Sequence, residues 1–213
     1  MSGIMHLLVG TGASGLQLGE AYGGGFYAGQ INISGTIYNL VVADRTVGQS
    51  YSNWGTSNTS ATSDINGPSN SALQASSGST PAQFCENLNT GGYTDWYLPS
   101  KWELQVLYWN LKPTTNTNFG SPGTNPYYKT LDQAAGWSSG NPSQTTATEF
   151  RSTGSQYIGD PGVSNGWLLF SSTAGGLYGN PFYMYFNNGQ NGFLGASPNN
   201  SPYSCRAIRR VLA

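Results

Sequence analysis

The run from Gly91 to Pro113 constrains the fold of this chain more than any other stretch. Pro99 biases Leu98 toward an extended backbone. Ser100 and Glu103 have the spacing of a capping box, in which each side chain satisfies a backbone donor that a helix start leaves orphaned. Leu104, Leu107, Tyr108 and Leu111 then recur at helical spacing on one face. Lys112 suits the negative end of the helix, and Pro113 stops it. The spacing therefore predicts a turn, a short extended run and a helix over 100–111. It fixes architecture and does not by itself name a function.

Other elements arrange themselves around that helix. Gly25–Ile33 and Thr36–Val42 read as strands joined at Ser34-Gly35, a hairpin signal. Thr80-Pro81-x-Gln83 predicts a first helix near 81–90, with Phe84, Cys85 and Leu88 facing inward and Gly91 or Gly92 ending it. Trp167–Ser171, Phe182–Phe186 and Tyr203–Val211 read as further strands. Tyr183 to Phe186 is apolar on both faces, which suits a central or covered strand. Asn187-Asn188-Gly189 and Asn191-Gly192 are turn signals. Between these elements lie two Ser-, Asn- and Gly-rich stretches, 48–80 and 113–165, which are expected to be long loops. Trp54 is the main anchor of the first. Residues 1–24 read as an N-terminal arm that serves oligomerisation, and 25–213 as one domain.

Several pieces of the chain resemble one family. Asp95-Trp96-x-Leu98-Pro99-Ser100-x-x-Glu103-Leu104 is similar to the hallmark of the C-terminal domain of the Legionella collagen-like adhesins, a family that also supplies bacterial surface and phage tail proteins. Ala82-x-x-Cys85-x-x-Leu88 precedes the hallmark as in that family. Phe170-Ser171-Ser172-Thr173, Tyr183-Met184-Tyr185-Phe186 and Cys205-Arg206-Ala207-Ile208-Arg209 follow in the family's order, and together the pieces span roughly 20–211. The resemblance implies an α+β, C-type-lectin-like fold: two helices packed on a curved antiparallel sheet, with long Gly/Ser/Asn-rich loops. It implies adhesion and no shared catalytic residues. It also implies that the first helix lies against the last strand, which brings Cys85 and Cys205 near one another. Whether they are bonded stays open, and two small buried thiols suit a protein assembled in a reducing cytoplasm.

Composition narrows the chemistry. Charged residues are 8% of the chain, against roughly 25% in ordinary domains. Their place is taken by Ser, Thr, Asn and Gly, and 14 Tyr and 6 Trp are set among these. Such a surface suits binding by stacking and hydrogen bonds, and equally suits close packing in an assembly. A net charge of −1 without a basic run argues against nucleic acid. The cluster Arg206, Arg209 and Arg210 is expected to pair with acids or a subunit neighbour. Met1–Val9 is apolar, short and without a cationic leader, so neither a signal peptide nor membrane insertion is expected.

Catalytic and metal-binding patterns are sparse in the same residues. Gly10-Thr11-Gly12-Ala13-Ser14-Gly15 has the dinucleotide spacing but is followed by no helical period. His6 is the only histidine, so a Ser-His-acid triad would have to sit on the arm. One His and two distant Cys do not make a zinc site. Gly140-Asn141-Pro142 and Gly179-Asn180-Pro181 lack the carboxylates that calcium-dependent lectins place beside proline. Asp132, Glu149 and Asp160 read as solvated turn residues; a glycan-degrading enzyme is the third reading and would need two of the acids paired across a cleft, a separation that sequence does not give. No enzyme activity, cofactor or metal is expected.

The expected function is that of a phage virion protein, made in the host cytoplasm and outside the cell after lysis. As the distal receptor-binding part of a tail fibre or spike it would attach to a host cell-surface glycan or protein. The alternative is a structural virion component, an adaptor or capsid decoration, that uses the fold for subunit packing. A homo-oligomer is expected, with a trimer favoured, and residues 1–24 would contact other virion proteins. Recognition is expected in 113–165 and its edges, because loops on a rigid scaffold vary without harming the core. The candidate ligand-binding residues are Tyr127, Tyr128, Trp137, Tyr157, Trp167 and Tyr178. Some of these aromatics have an equal claim to filling a small core under the loop.

Overall fold

The computed structural model describes residues 15–119, 125–128, 137–163, 165–175, 179–195 and 202–213. The elements in order are β1 (Ala21–Tyr22), β2 (Gly25–Ile33), β3 (Thr36–Val42), α1 (Arg45–Gly48), β4 (Gln49–Ser52), α2 (Gly67–Ser76), α3 (Thr80–Glu86), α4 (Lys101–Leu111), β5 (Leu168–Gly175), β6 (Asn180–Tyr185), β7 (Asn191–Phe193), β8 (Tyr203–Arg206) and β9 (Ile208–Leu212). This is a mixed α+β fold with curled, mainly antiparallel sheet and few helices. Among the described residues no helix is long and apolar enough to cross a membrane.

The sheet expected as one is divided into two, ordered β1-β2-β3-β9 and β4-β8-β5-β6-β7. The division happens in the last strand. Tyr203–Val211 was expected to be continuous, but it breaks at Ala207, so that β8 pairs with β4 and β9 pairs with β3. Ala207 N–H donates to Gly48 O, and Ala43 N–H donates to Ala207 O, which holds the chain at the crossing point. A single parallel contact, Leu169 with Ser204, joins β5 to β8.

The hairpin β2–β3 forms as its sequence predicts. Ser34 and Gly35 both take positive φ (51° and 90°), the geometry that suits a two-residue turn between twisted strands. β1 covers only the start of β2. The remaining edge of β2 is covered by residues 125–128, where Asn32 N–H donates to Tyr127 O and Ile31 bridges Tyr128. An unpaired strand edge is thereby closed within the chain.

α4 runs over Lys101–Leu111, with Ser100 as its N-cap and the capping box in place. It packs against β2 and against β5 and β6. Its apolar residues join Ile31, Leu40, Phe150, Met184 and Phe186 in the larger core cluster. A second cluster gathers Trp54, Cys85, Trp96, Leu98, Phe170 and Cys205. Cys85 and Cys205 are free thiols in contact there, and burial together with that contact pushes the Cys85 thiol well above its usual range.

Two expectations about loops are corrected. Residues 48–80 contain β4 and a helix, α2, where a structureless loop was expected. Asn66 caps α2 through a bond from Ser69 N–H, and Pro68 lies in its first turn. Its inward residues are Gly67, Asn70, Ser71 and Gln74, so the helix has no apolar period to read. Gln74 instead bonds to Asn58 and Ser172 O. Asn191-Gly192 is not a turn but part of β7, paired with Met184 and Tyr183. The reversal is made just before it, where Gly189 takes φ 73°. The first predicted helix, α3, ends at Glu86, short of 90. Gly91 and Gly92 serve a separate tight turn in which Thr90 and Tyr93 exchange backbone hydrogen bonds.

The three C-terminal arginines are satisfied within the chain. Arg209 grips Asp95 with two bonds of 2.7 and 2.9 Å and lies 3.6 Å from the Tyr93 ring centroid. The Arg209 bonds hold the Asp95 carboxyl below its usual range, against a smaller opposing effect of burial. Arg210 pairs with the fully buried Glu103 at 2.7 Å. Arg206 is fully buried and donates to Ala43 O, Gln49 and Gln156, and among the described residues it takes part in no ion pair. Burial pushes it down to about 9, with Asp44 working the other way, so it keeps its charge at neutral pH.

Candidate functional site

The C-terminal turn of α4 leaves backbone carbonyls without helical donors. A stretch of loop, 141–147, supplies them. Thr145 hydroxyl donates to Asn110 O (2.7 Å), Thr145 N–H to Lys112 O (2.9 Å) and the Gln144 amide to Pro113 O (2.7 Å). The loop is thus docked along the helix end by one bond to a helical carbonyl and two to the carbonyls just past it.

Between this stretch and α4 lies a groove of about 580 Å³. Trp109, Asn110, Tyr27 and Tyr128 line it from the helix and sheet side, 141–147 form one wall, and Leu16, Gln17 and Leu18 close it. No described lining side chain carries a formal charge. Tyr27 lines it as a neutral phenol, its pKa raised by burial and by the nearby Tyr22. The groove presents three aromatic residues, Tyr27, Trp109 and Tyr128, among amides and hydroxyls. That chemistry accepts a neutral, polyhydroxylated ligand by stacking and hydrogen bonding.

Asn110 is the junction of the site. Its amide donates to Ala28 O (2.8 Å), and its side-chain oxygen accepts from Tyr128 hydroxyl (2.7 Å). Gly29 makes room for it, since a Cβ there would stand 2.0 Å from the Asn110 amide nitrogen, and its φ of 111° disfavours any other residue. Tyr128 is fixed from a second side by Trp109, edge-on at 5.9 Å. Trp109 also meets Trp137 at 5.5 Å, and Trp137 stacks flat on Tyr108 at 5.4 Å.

The structure therefore sorts the sequence candidates into groups. Tyr128 lines the groove, and Trp137 supports it from behind, packed on the core. Tyr127 is half-buried, and its backbone carbonyl serves the β2 edge. Tyr157 and Trp167 do not reach the groove. They contact each other at 6.1 Å, and Tyr157 lies under the Arg45 guanidinium at 4.1 Å, which is also 4.0 Å from Asp160. Tyr178 lies outside the described residues, as do His6, Asp132 and residues 10–14 of the glycine-rich run. Gly15–Gly24, assigned to the arm, contribute β1 and one side of the groove.

Sequence reasoning missed Trp109. A signal was there: Trp102 and Trp109, seven apart, put large aromatics on the helix face opposite Leu104 and Leu111, where a polar stripe is the norm. Among the described residues no group of three or more His, Cys, Asp or Glu side chains is placed to hold a metal ion. Glu149 is exposed on a short 3-10 turn, Thr148–Phe150. No family model matches the chain, and no curated protein or solved structure is significantly similar to it.

Proposed function

We propose that this chain is a glycan-binding adhesion module, the distal receptor-binding part of a phage tail fibre or spike, and that the groove beside α4 is where the host-surface glycan seats. The observation that carries the binding part is the uncharged groove walled by amides and hydroxyls around Trp109 and Tyr128. Its volume of about 580 Å³ lies within the span of ligand sites, roughly 300–1,000 Å³. The adhesion part and the virion setting draw on the resemblance of residues 95–104 to the collagen-like adhesin domains. The C-type-lectin-like reading of the fold draws further support from Cys85 on α3 lying against Cys205 on β8.

Trp109→Ala is expected to weaken binding to isolated host-surface glycan by about tenfold, the worth of one good stacking contact. Tyr157→Ala, outside the groove, should bind like the parent. Titration calorimetry of both variants checks this. If a folded Trp109→Ala binds as tightly as the parent, the groove is not the site.

We extend the proposal to a homo-oligomer, trimeric by preference, joined through the apolar arm residues Ile4, Met5, Leu7, Leu8 and Val9. Light scattering should give a multiple of the 22.6 kDa chain and a monomer once residues 1–14 are removed. A full-length monomer refutes it.

A further inference from the structure

The helix that builds the groove ends in a residue whose burial needs explaining. Lys112 is 2% exposed. At the end of α4 it was expected to balance the negative helix terminus. Its ammonium turns away from the last helical turn instead. It donates to Asn116 O (2.5 Å), Asn118 Oδ1 (2.7 Å) and Pro142 O (3.2 Å). A lysine ammonium has three N–H donors, so these three oxygens satisfy it completely. Among the described residues Lys112 takes part in no ion pair. A lone buried cation is costly, and only hydrogen bonds of this quality make it tolerable.

The three acceptors come from two segments of the chain, 116–118 and Pro142. Two lie just past the helix and one lies in the groove wall. Asn118 links them further. Its Oδ1 also accepts from Tyr108 hydroxyl (2.6 Å), and its amide donates to Ser138 O (3.1 Å) and Pro142 O (3.0 Å). A short cluster of carbonyl oxygens is thus drawn around one positive charge. That arrangement is what a bound cation imposes on a loop.

We propose that the Lys112 ammonium acts as a tethered cation that holds residues 116–118 and Pro142 together at the end of α4 and so positions the groove wall at 141–147. It is a positioning residue: it does not line the groove and acts through Pro142 and Asn118. The effect on ligand binding rests on the glycan reading, whereas the ordering of the loop does not.

The test uses the full chain and hydrogen exchange. Lys112→Met keeps the length and burial of the side chain and removes the charge. Backbone amides of Asn118 and Thr145 should exchange about tenfold faster in it, the loss of a charge-assisted tether opening the loop locally. Amides in the β2–β3 hairpin should exchange as in the parent. Lys112→Ala, which leaves a space for a small cation, should show the same acceleration. Added propylammonium should reverse it, and tetramethylammonium, which has the charge and no N–H donors, should not. Unchanged loop exchange in Lys112→Met, acceleration across the hairpin as well, or recovery that the two cations bring equally would each overturn the proposal. Acceleration that propylammonium leaves in place overturns it too. Glycan titration of the same variants separates the two readings. If the parent binds no glycan yet the loop behaves as described, the functional reading falls and the tethered cation stands.

Discussion

Arg210→Met is expected to destabilise the fold by about 3–5 kcal/mol, the usual cost of breaking a buried ion pair from one side. Glu103 is fully buried. Its Oε1 accepts from Arg210 Nε (2.7 Å) and Tyr97 hydroxyl (2.6 Å), and its Oε2 from Ser100 N–H (2.8 Å) and Ser100 hydroxyl (2.7 Å). Removing Arg210 leaves three neutral donors and no countercharge. Burial works against the Arg210 charge, but the Glu103 carboxylate outweighs it and raises the Arg210 pKa. Arg210 also donates to Ile65 O, so the approach to α2 loosens in the same variant. The pair Glu103→Gln with Arg210→Met should recover part of the loss, because no stranded charge remains. Denaturant midpoints of the two single variants and the double variant test this. A midpoint for Arg210→Met equal to the parent's would show that the ion pair contributes nothing net.

Trp54→Ala is the second large effect, about 3–5 kcal/mol for truncating a fully buried aromatic. Trp54 packs on Phe170 at 4.9 Å, its indole N–H donates to Ser57 hydroxyl (2.8 Å), and its backbone carbonyl accepts from Thr80 N–H. It therefore joins the 53–66 connection, the start of α3 and the β5 strand. The loss should appear in the unfolding midpoint while glycan binding by the folded fraction is unchanged, since Trp54 does not line the groove. Stability within about 1 kcal/mol of the parent would mean that the site collapses onto Phe170 and refills.

These two residues show what the sequence made legible. Trp54 stood out because a lone large aromatic in a Ser/Asn-rich stretch has little to do but anchor it. Glu103 was legible only as half of a capping box. Its pairing with Arg210 joins positions 107 apart, which no local pattern encodes. α4 and the β2–β3 hairpin were legible because caps, proline and turn residues act within a few positions. α2 was not, because its buried side is polar and its stabilising partners, Asn58 and Ser172, lie outside it. The groove was half legible. Loop 113–165 supplies one wall and Tyr128, but the other lining residues come from α4, β2 and residues 16–18. Aromatic content marked Tyr157 and Trp167 equally, although they pair with each other and with Arg45. Composition reports which side chains suit a ligand, and only tertiary contacts decide which of them a neighbour has already taken.

The break of the last strand at Ala207 sets an order of events during synthesis. β8 lies between β4 and β5, and β9 borders β3, so both sheets remain unfinished until residues 203–212 have been made. Before then β3 and β5 each present an open edge, and Glu103 and Asp95 lack their arginines. A nascent chain on the ribosome can build the β2–β3 hairpin and α4, whose contacts are local, but closing the two sheets requires pairing across more than half the chain, the slowest class of contact to form. The decisive step of folding therefore waits for residues 203–212, whichever other elements have already formed. A chain interrupted anywhere before β8 is left with exposed strand edges and with Glu103 lacking its arginine, and exposed edges are features by which quality control recognises and removes unfinished proteins.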